Sequence, residues 1–303
     1  MYERSFTYVS LFAGCGGSSL GYKMAGGKCL LAVEWDKKAA AVYADNFPET
    51  PLYVGDIAAL DGAEALRLAG VKPGELDLLD GSPPCQGFST AGKRVVSDAR
   101  NSLFREYVRL LEAFQPKAFV MENVSGLVKG KMRPIFREIM VALKATGYEV
   151  KCRLLDAKWF GVPQERKRLI WIGARNDLGI VPKHPRAQGR PVTVREAIEV
   201  TEQIRRPWGK LGDPKRNDKY RTSDRPAPTV EKSRPLMLQS RYVTVEETKT
   251  LASFPPDFRI SEYGPIGNAV PPLLAKAIGE AVYDSVILPA QNLTGETAER
   301  VHA

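Results

Sequence analysis

The chain has 303 residues, of which 44% are hydrophobic and 9% aromatic. That is enough for a large domain with its own core and a smaller one beside it. The net charge is +9, which points toward a polyanionic partner. Four scattered cysteines (Cys15, Cys29, Cys85, Cys152) form no CxxC pair, which argues against a zinc site and a disulfide framework and fits a reducing cytoplasm. The two histidines, His184 and His302, lie near no motif, which argues against Ser-His-Asp catalysis and histidine metal sites.

No apolar run is long enough to span a bilayer. Phe12-Ala13-Gly14-Cys15 has the look of a lipoprotein cleavage site, but Glu3 and Arg4 and the short apolar core before it argue against a signal peptide.

In chain order, Tyr8–Phe12 reads as a strand, followed by a glycine turn and a helix near Ser18–Ala25. A strand over Cys29–Glu34, a helix over Ala39–Asn46 and a short strand at Leu52–Val54 follow. The run Leu76–Leu79 predicts a buried strand. Leu103–Phe114 has helical spacing, with Leu103, Tyr107, Leu110, Leu111 and Phe114 on one face. A strand at Ala118–Met121, a helix over Met132–Thr146 and a strand at Leu169–Gly173 complete the series. This alternation predicts a doubly wound α/β domain, a parallel sheet covered on both faces.

After Arg175 the texture changes. Residues 176–235 carry 14 Lys/Arg against 8 Asp/Glu and little periodicity, which reads as the start of a smaller domain. Helical character returns at Val245–Ser253 and Pro272–Tyr283, and the polar tail from Pro289 reads as frayed.

Three local patterns suggest chemistry. Phe12–Gly21 is a glycine-rich turn opening a helix, with Glu34 twenty residues after Gly14 at the end of the next strand. An acid there can accept from ribose hydroxyls. Ser19 replaces the third glycine of a dinucleotide fingerprint, so NAD, FAD, S-adenosylmethionine or no ligand all remain open. Gly81-Ser82-Pro83-Pro84-Cys85-Gln86-Gly87-Phe88-Ser89 places a thiol in a rigid turn just after a buried strand. Glu122 ends another buried strand, a setting that would keep a carboxyl protonated.

The ordered set of Phe12–Gly21, Glu34-Trp35, Asp56-Ile57, Pro83–Gln86, Glu122-Asn123-Val124, Gln164–Arg168, Arg225–Val230 and Gly267–Pro272 resembles the cytosine-5 DNA methyltransferase family of prokaryotic or phage type. The resemblance covers nearly the whole chain except roughly 176–224. It implies a Rossmann-like fold of the class I methyltransferase kind with S-adenosylmethionine as cofactor. By position, Phe12, Ala13, Gly14, Gly16, Gly17 and Leu20 would line the cofactor, Glu34 would take the ribose hydroxyls and Trp35 would pack on the adenine. Asp56 and Ile57 would read the adenine edge, and Pro84, Leu103, Asn268 and Val270 would close the pocket. Asp56 as a helix cap, and Trp35 and Ile57 as ordinary core packing, are the competing readings.

The resemblance further implies Cys85 as nucleophile toward cytosine C6 and Glu122 as the acid, with Arg166, Arg168 and Gln164 holding the base and the cysteine loop. Arg166 and Arg168 alternate, so both are expected on one face. The base must leave the duplex, and the segment from Gly87 to Asn101 reads as a closing loop. DNA contacts are expected from Ser89, Lys93, Arg94, Arg100, Arg205 and Arg206.

These implications divide the chain into a catalytic domain of 1–175 plus 265–288, a small target-recognition domain of 176–264 and a tail of 289–303. They also imply a monomer on double-stranded DNA in the cytoplasm, at the nucleoid, without a metal and with a cognate restriction endonuclease as a possible partner. Two features depart from the family pattern. Only about 50 residues separate the Arg168 and Arg225 motifs, and Pro265 stands where glutamine is usual. A tRNA substrate is the first alternative, although the branch that methylates tRNA carries a Cys-Phe-Thr element and no cysteine follows Cys152 here. A cofactor-binding protein with lapsed catalysis is the second.

Overall fold

The structure is a computed structural model and describes residues 4–84, 103–206, 220–232 and 235–293. Seven strands form one sheet: β1 (Phe6–Leu11), β2 (Gly27–Glu34), β3 (Leu52–Val54), β4 (Leu78–Gly81), β5 (Ala118–Val124), β6 (Tyr148–Asp156) and β7 (Lys167–Arg175). Their spatial order is β3-β2-β1-β4-β5-β7-β6. The chain winds outward from β1 in one direction and from β4 in the other, so a topological switch point lies between them. The sheet is not wholly parallel as expected: β7 is antiparallel to both β5 and β6.

Helices cover both faces. α3 (Gly62–Ala69), α4 (Leu103–Phe114) and α5 (Arg133–Ala145) lie over Val9, Leu11, Leu79, Phe119 and Met121. α1 (Gly17–Met24) and α9 (Pro272–Val282) lie over Tyr8, Leu78, Val120 and Ile170. The assignment of neighbouring strand residues to opposite faces follows from the two-residue repeat of a strand. α9 leads through a π turn at Tyr283–Ile287, and residues 288–293 remain helical, so the described part of the expected tail is ordered helix.

Several elements differ from the sequence reading for identifiable reasons. β4 begins two residues late. The Asp77 carboxylate accepts from the Thr7 amide at 2.8 Å and from Lys117 Nζ at 2.7 Å, and so pins the strand entrance. β6 was not anticipated, because it is an edge strand whose Glu149, Lys151 and Arg153 break any apolar run. α3 is short; Asp61 caps it at Glu64 N, and Gly70 ends it at φ +67°. In α4, Phe104 rather than Leu103 takes the fully buried position.

Residues 176–264 contain α6 (Val194–Ile198), α7 (Val245–Leu251) and the start of α8 (Tyr263–Asn268), with a two-stranded ribbon of β8 (Ile204–Arg205) and β9 (Met237–Leu238). Capping boxes start α6 at Thr193/Glu196 and α7 at Thr244/Glu247. Their core includes Ile204, Val230, Leu238, Phe254 and Phe258, and it continues into Tyr43 and Phe47 of α2 (Lys37–Asn46). No helix among the described residues is long and apolar enough to cross a membrane.

Candidate active site

The turns after β1, β2, β4 and β5 all leave the same edge of the sheet. β7 runs the other way, so its beginning reaches that edge too: Arg168 pairs in register with Val124, at the end of β5.

The glycine turn is built on unusual backbone. Phe12 has φ +56° and Gly14 φ +57°, both left-handed. Glu34, only 6% exposed, anchors the turn: Oε2 accepts from Gly14 N at 2.7 Å, and Oε1 accepts from Trp35 N at 2.9 Å and Asp36 N at 2.8 Å. Burial raises the Glu34 pKa, and these backbone bonds oppose the rise. The glycines divide by role. A Cβ on Gly14 would meet nothing within 4 Å, whereas one on Gly17 would lie 2.3 Å from the Val270 carbonyl and one on Gly16 2.3 Å from the Phe47 ring. Gly14 therefore faces open space, and Gly16 and Gly17 permit close packing by α2 and by the chain entering α9.

Trp35 is 73% exposed beside this turn. Asp56 accepts from Ala58 N at 3.0 Å as a cap and Ile57 is buried, as the competing readings for these two expect, whereas the exposure of Trp35 contradicts its core-packing reading. Leu20 packs against the core of the smaller part, Leu103 packs at the head of α4, Asn268 is exposed and Val270 is buried. Ala13 is buried and Pro84 half-buried.

At the end of β5, Glu122 Oε1 lies 2.7 Å from Arg168 Nε, with the two side chains 13% and 14% exposed. The carboxylate is therefore ion-paired rather than left in the apolar setting that the strand sequence suggested. The next residue, Asn123, is buried and donates from Nδ2 to the Pro83 carbonyl at 3.1 Å. That bond ties β5 to the Pro83-Pro84 turn. Cys85, Ser89, Lys93, Arg94 and Arg100 lie outside the described residues.

Arg166 does not share the position of Arg168. It precedes β7, is 3% exposed, and donates from Nη1 to the Val230 carbonyl at 3.1 Å and from Nη2 to the Gly267 carbonyl at 3.0 Å. Burial lowers its pKa well below the usual range, and Arg168 lowers it further. Gln164 makes the same kind of bridge: Nε2 donates to the Leu251 carbonyl at 3.2 Å, and Oε1 accepts from Val230 N at 3.0 Å. Thr229 Oγ1 donates to the Glu165 carbonyl at 2.6 Å. This cluster clamps the segment before β7 onto residues 227–267.

Arg205 and Arg206 also have internal partners. The Arg205 guanidinium stands 4.8 Å over the Tyr220 ring, and Arg206 Nη1 lies 3.1 Å from Glu231 Oε1. Pro265 sits in the first turn of α8, where no helical N–H partner is needed, so it is accommodated without loss.

Two residues escaped the sequence reading. Asn123 was seen only as part of a motif. Asp80 was taken as part of an apolar run, yet it is 2% exposed, and its carboxylate accepts from Tyr22 OH at 2.8 Å and Ser10 Oγ at 3.3 Å. The available signal was a lone acid inside a strand buried at every position.

Sheet order, the antiparallel β7 and the site at the strand ends define a Rossmann-like architecture of the class I methyltransferase kind. Residues 6–225 match the family model for C-5 cytosine-specific DNA methylase. A type II methyltransferase, M1.HphI of Haemophilus parahaemolyticus, is 34% identical over 93% of this chain and 88% of its own length. Another, M.XorII of Xanthomonas oryzae pv. oryzae, is 32% identical over 89% of this chain and 83% of its own. A protein encoded within an E. coli prophage superposes with a TM-score of 0.76 at 24% identity, covering 93% of this chain and 99% of its own. The chain belongs to the C-5 cytosine-specific DNA methylase family.

Proposed function

We propose that the protein transfers a methyl group from S-adenosylmethionine to C5 of a cytosine flipped out of duplex DNA. The observation that carries this reading is the Glu122–Arg168 pair set beside the Asn123–Pro83 bond, two residues before Cys85. An acid, a cation and a held turn leading to a thiol are the parts that nucleophilic activation of a pyrimidine requires.

The residues at the glycine turn fit the cofactor. Gly14 leaves open space, Glu34 retains acceptor capacity on Oε2, and Trp35 offers a free aromatic face. When bound, S-adenosylmethionine supplies an electrophilic methyl on a sulfonium, to be taken up at C5 of the base. Cys85 as thiolate adds to C6, breaking ring aromaticity and raising electron density at C5. Glu122 hydrogen-bonds N3 or the exocyclic amine, and Arg168 orients that carboxyl and reaches the base O2. Loss of the C5 proton and departure of the thiol restore the ring.

Arg166 and Gln164 act in this reading as clamps between the sheet and residues 176–264, which form the target-recognition part. Ser89, Lys93, Arg94 and Arg100 supply phosphate contacts from the segment after Cys85. Arg205 and Arg206, already held internally, shape the recognition part. The type II relatives suggest a modification enzyme matched to a restriction endonuclease.

The test is labelled methyl transfer to mixed-sequence duplex DNA and to tRNA, using the wild type beside Cys85→Ala. Label on DNA cytosine that disappears in the variant is expected, and sequencing of the product gives the site. Label on tRNA alone, or on neither, overturns the reading.

A further inference from the structure

Asp80 is a buried carboxylate with hydroxyl donors and, among the described residues, no basic group in the interactions acting on it. Tyr22 OH and Ser10 Oγ bond to it, and the Ser18 hydroxyl acts on it as well. Its place in the sheet is specific. Across the register it pairs with Ser10, two residues before Phe12, and with Val120, two residues before Glu122. Above it lies the first part of α1, which starts at the glycine turn. Asp80 thus lies on the strand between the one that leads to the cofactor turn and the one that ends in Glu122, two residues inside the sheet from both and covered by α1.

A buried ion with no counterion is unfavourable, and folded proteins normally pair or neutralise one. In the reading above, the group entering between those two places is a cation, and the product left behind is a neutral thioether. We propose that Asp80 is a specificity-determining residue for the cofactor, its carboxylate favouring the sulfonium of S-adenosylmethionine over the uncharged sulfur of S-adenosylhomocysteine. The two ligands share every other charge, so their affinity ratio isolates this effect. The inference rests on the cofactor assignment made above.

The surroundings allow the carboxyl to change state near neutrality. Burial pushes it up to about 7, while Tyr22, Ser18 and Ser10 pull it back by donating. Among the described residues, the titratable and charged groups facing it are Tyr22 from α1, Tyr107 from α4, Cys29 from β2 and Glu122 from β5, the last already paired with Arg168. Burial raises the pKa values of Tyr22, Tyr107 and Cys29 (the cysteine to about 11), so these three stay neutral across the range in which Asp80 ionises. A bound cation therefore draws the proton off Asp80, and binding of the sulfonium releases protons where binding of the thioether does not.

The experiment is calorimetric titration of the whole protein with each ligand at pH 6 and pH 8, for the wild type, Asp80→Asn and Tyr22→Phe. In the wild type, the preference for S-adenosylmethionine is expected to grow several-fold from pH 6 to pH 8. In Asp80→Asn, the preference is expected to fall roughly 10-fold at pH 8 and to lose its pH dependence. Tyr22→Phe removes one donor to the carboxylate and should move the rise to higher pH, which keeps the test available if Asp80→Asn does not fold. An affinity ratio unchanged by both variants, or both ligands weakened equally, makes Asp80 a structural residue and overturns the proposal. A wild type that binds neither ligand overturns the cofactor assignment itself and this inference with it.

Discussion

Arg168 Nε lies 2.7 Å from Glu122 Oε1 across adjacent antiparallel strands, two residues out of register. The contact exists because β7 reverses direction. In a wholly parallel sheet the start of that strand would lie at the opposite edge. Removing Arg168 leaves a mostly buried carboxylate alone. Arg168→Met should destabilise the fold by about 3 kcal/mol. Glu122→Gln should keep the fold and lower methyl transfer by roughly 100-fold or more. Denaturant melts alongside single-turnover rates check the pair; equal losses of activity and stability in both variants would contradict it.

Asn123 holds the Pro83 carbonyl, and Pro83 lies two residues before the proposed nucleophile. Asn123→Ala strands a buried carbonyl, at about 1–3 kcal/mol. Its larger effect should be on the transfer rate, with cofactor affinity unchanged, since the bond lies on the cysteine side of the site. Measurement of kcat and cofactor Kd in the same variant separates the two.

Gly14 and Gly17 should respond oppositely to alanine. Gly17→Ala drives a methyl to 2.3 Å from the Val270 carbonyl and 2.9 Å from the Ala269 side chain, so α1 and the approach to α9 must separate. A stability loss of about 1–3 kcal/mol follows. Gly14→Ala meets no atom within 4 Å and bears only left-handed backbone strain, about 1–2 kcal/mol. Its methyl points into open space at the turn, so cofactor affinity should fall much more than stability. Equal melting shifts with unchanged binding would remove Gly14 from the pocket.

Arg166 binds two carbonyls on separate segments, Val230 and Gly267. Arg166→Lys cannot span both, because an ammonium is a single point where the guanidinium is a fork. It should loosen residues 220–267 from the sheet, seen as faster amide exchange there and weaker DNA binding. Protection confined to its wild-type pattern would show that the clamp is dispensable.

Asp80 predicts a pH dependence of stability. Its folded pKa is raised to about 7 from an ordinary carboxylate value. A folded state that binds the proton more tightly is stabilised by it below the unfolded pKa, and that stabilisation is lost as pH rises toward 7. The contribution is on the order of a few kcal/mol. Stability of the unliganded wild type should therefore carry a falling component from about pH 4 to pH 7, and Asp80→Asn should lack it. Guanidinium melts across that range provide the comparison.

What the sequence determined by itself was everything written in local order. Glycines after an apolar run, a proline pair before a cysteine and four-residue apolar spacing in α4 have local physical meanings, and their succession along the chain was enough to reveal the family. Direction and partnership were not local. Nothing in Lys167–Arg175 says that it runs against β5, and the charged edge strand β6 lacks the apolar run that would announce it. Two arginines two residues apart looked equivalent, yet one reaches Glu122 and the other is buried on the carbonyls of Val230 and Gly267. Asp80 looked like a flaw in a strand until Ser10, Ser18 and Tyr22, all from the first 22 residues, were seen to converge on it. Those distinctions depend on contacts between residues tens to a hundred positions apart. Such contacts form only once the sheet order is set, because burial and hydrogen bonding are properties of the packed molecule and not of the segment.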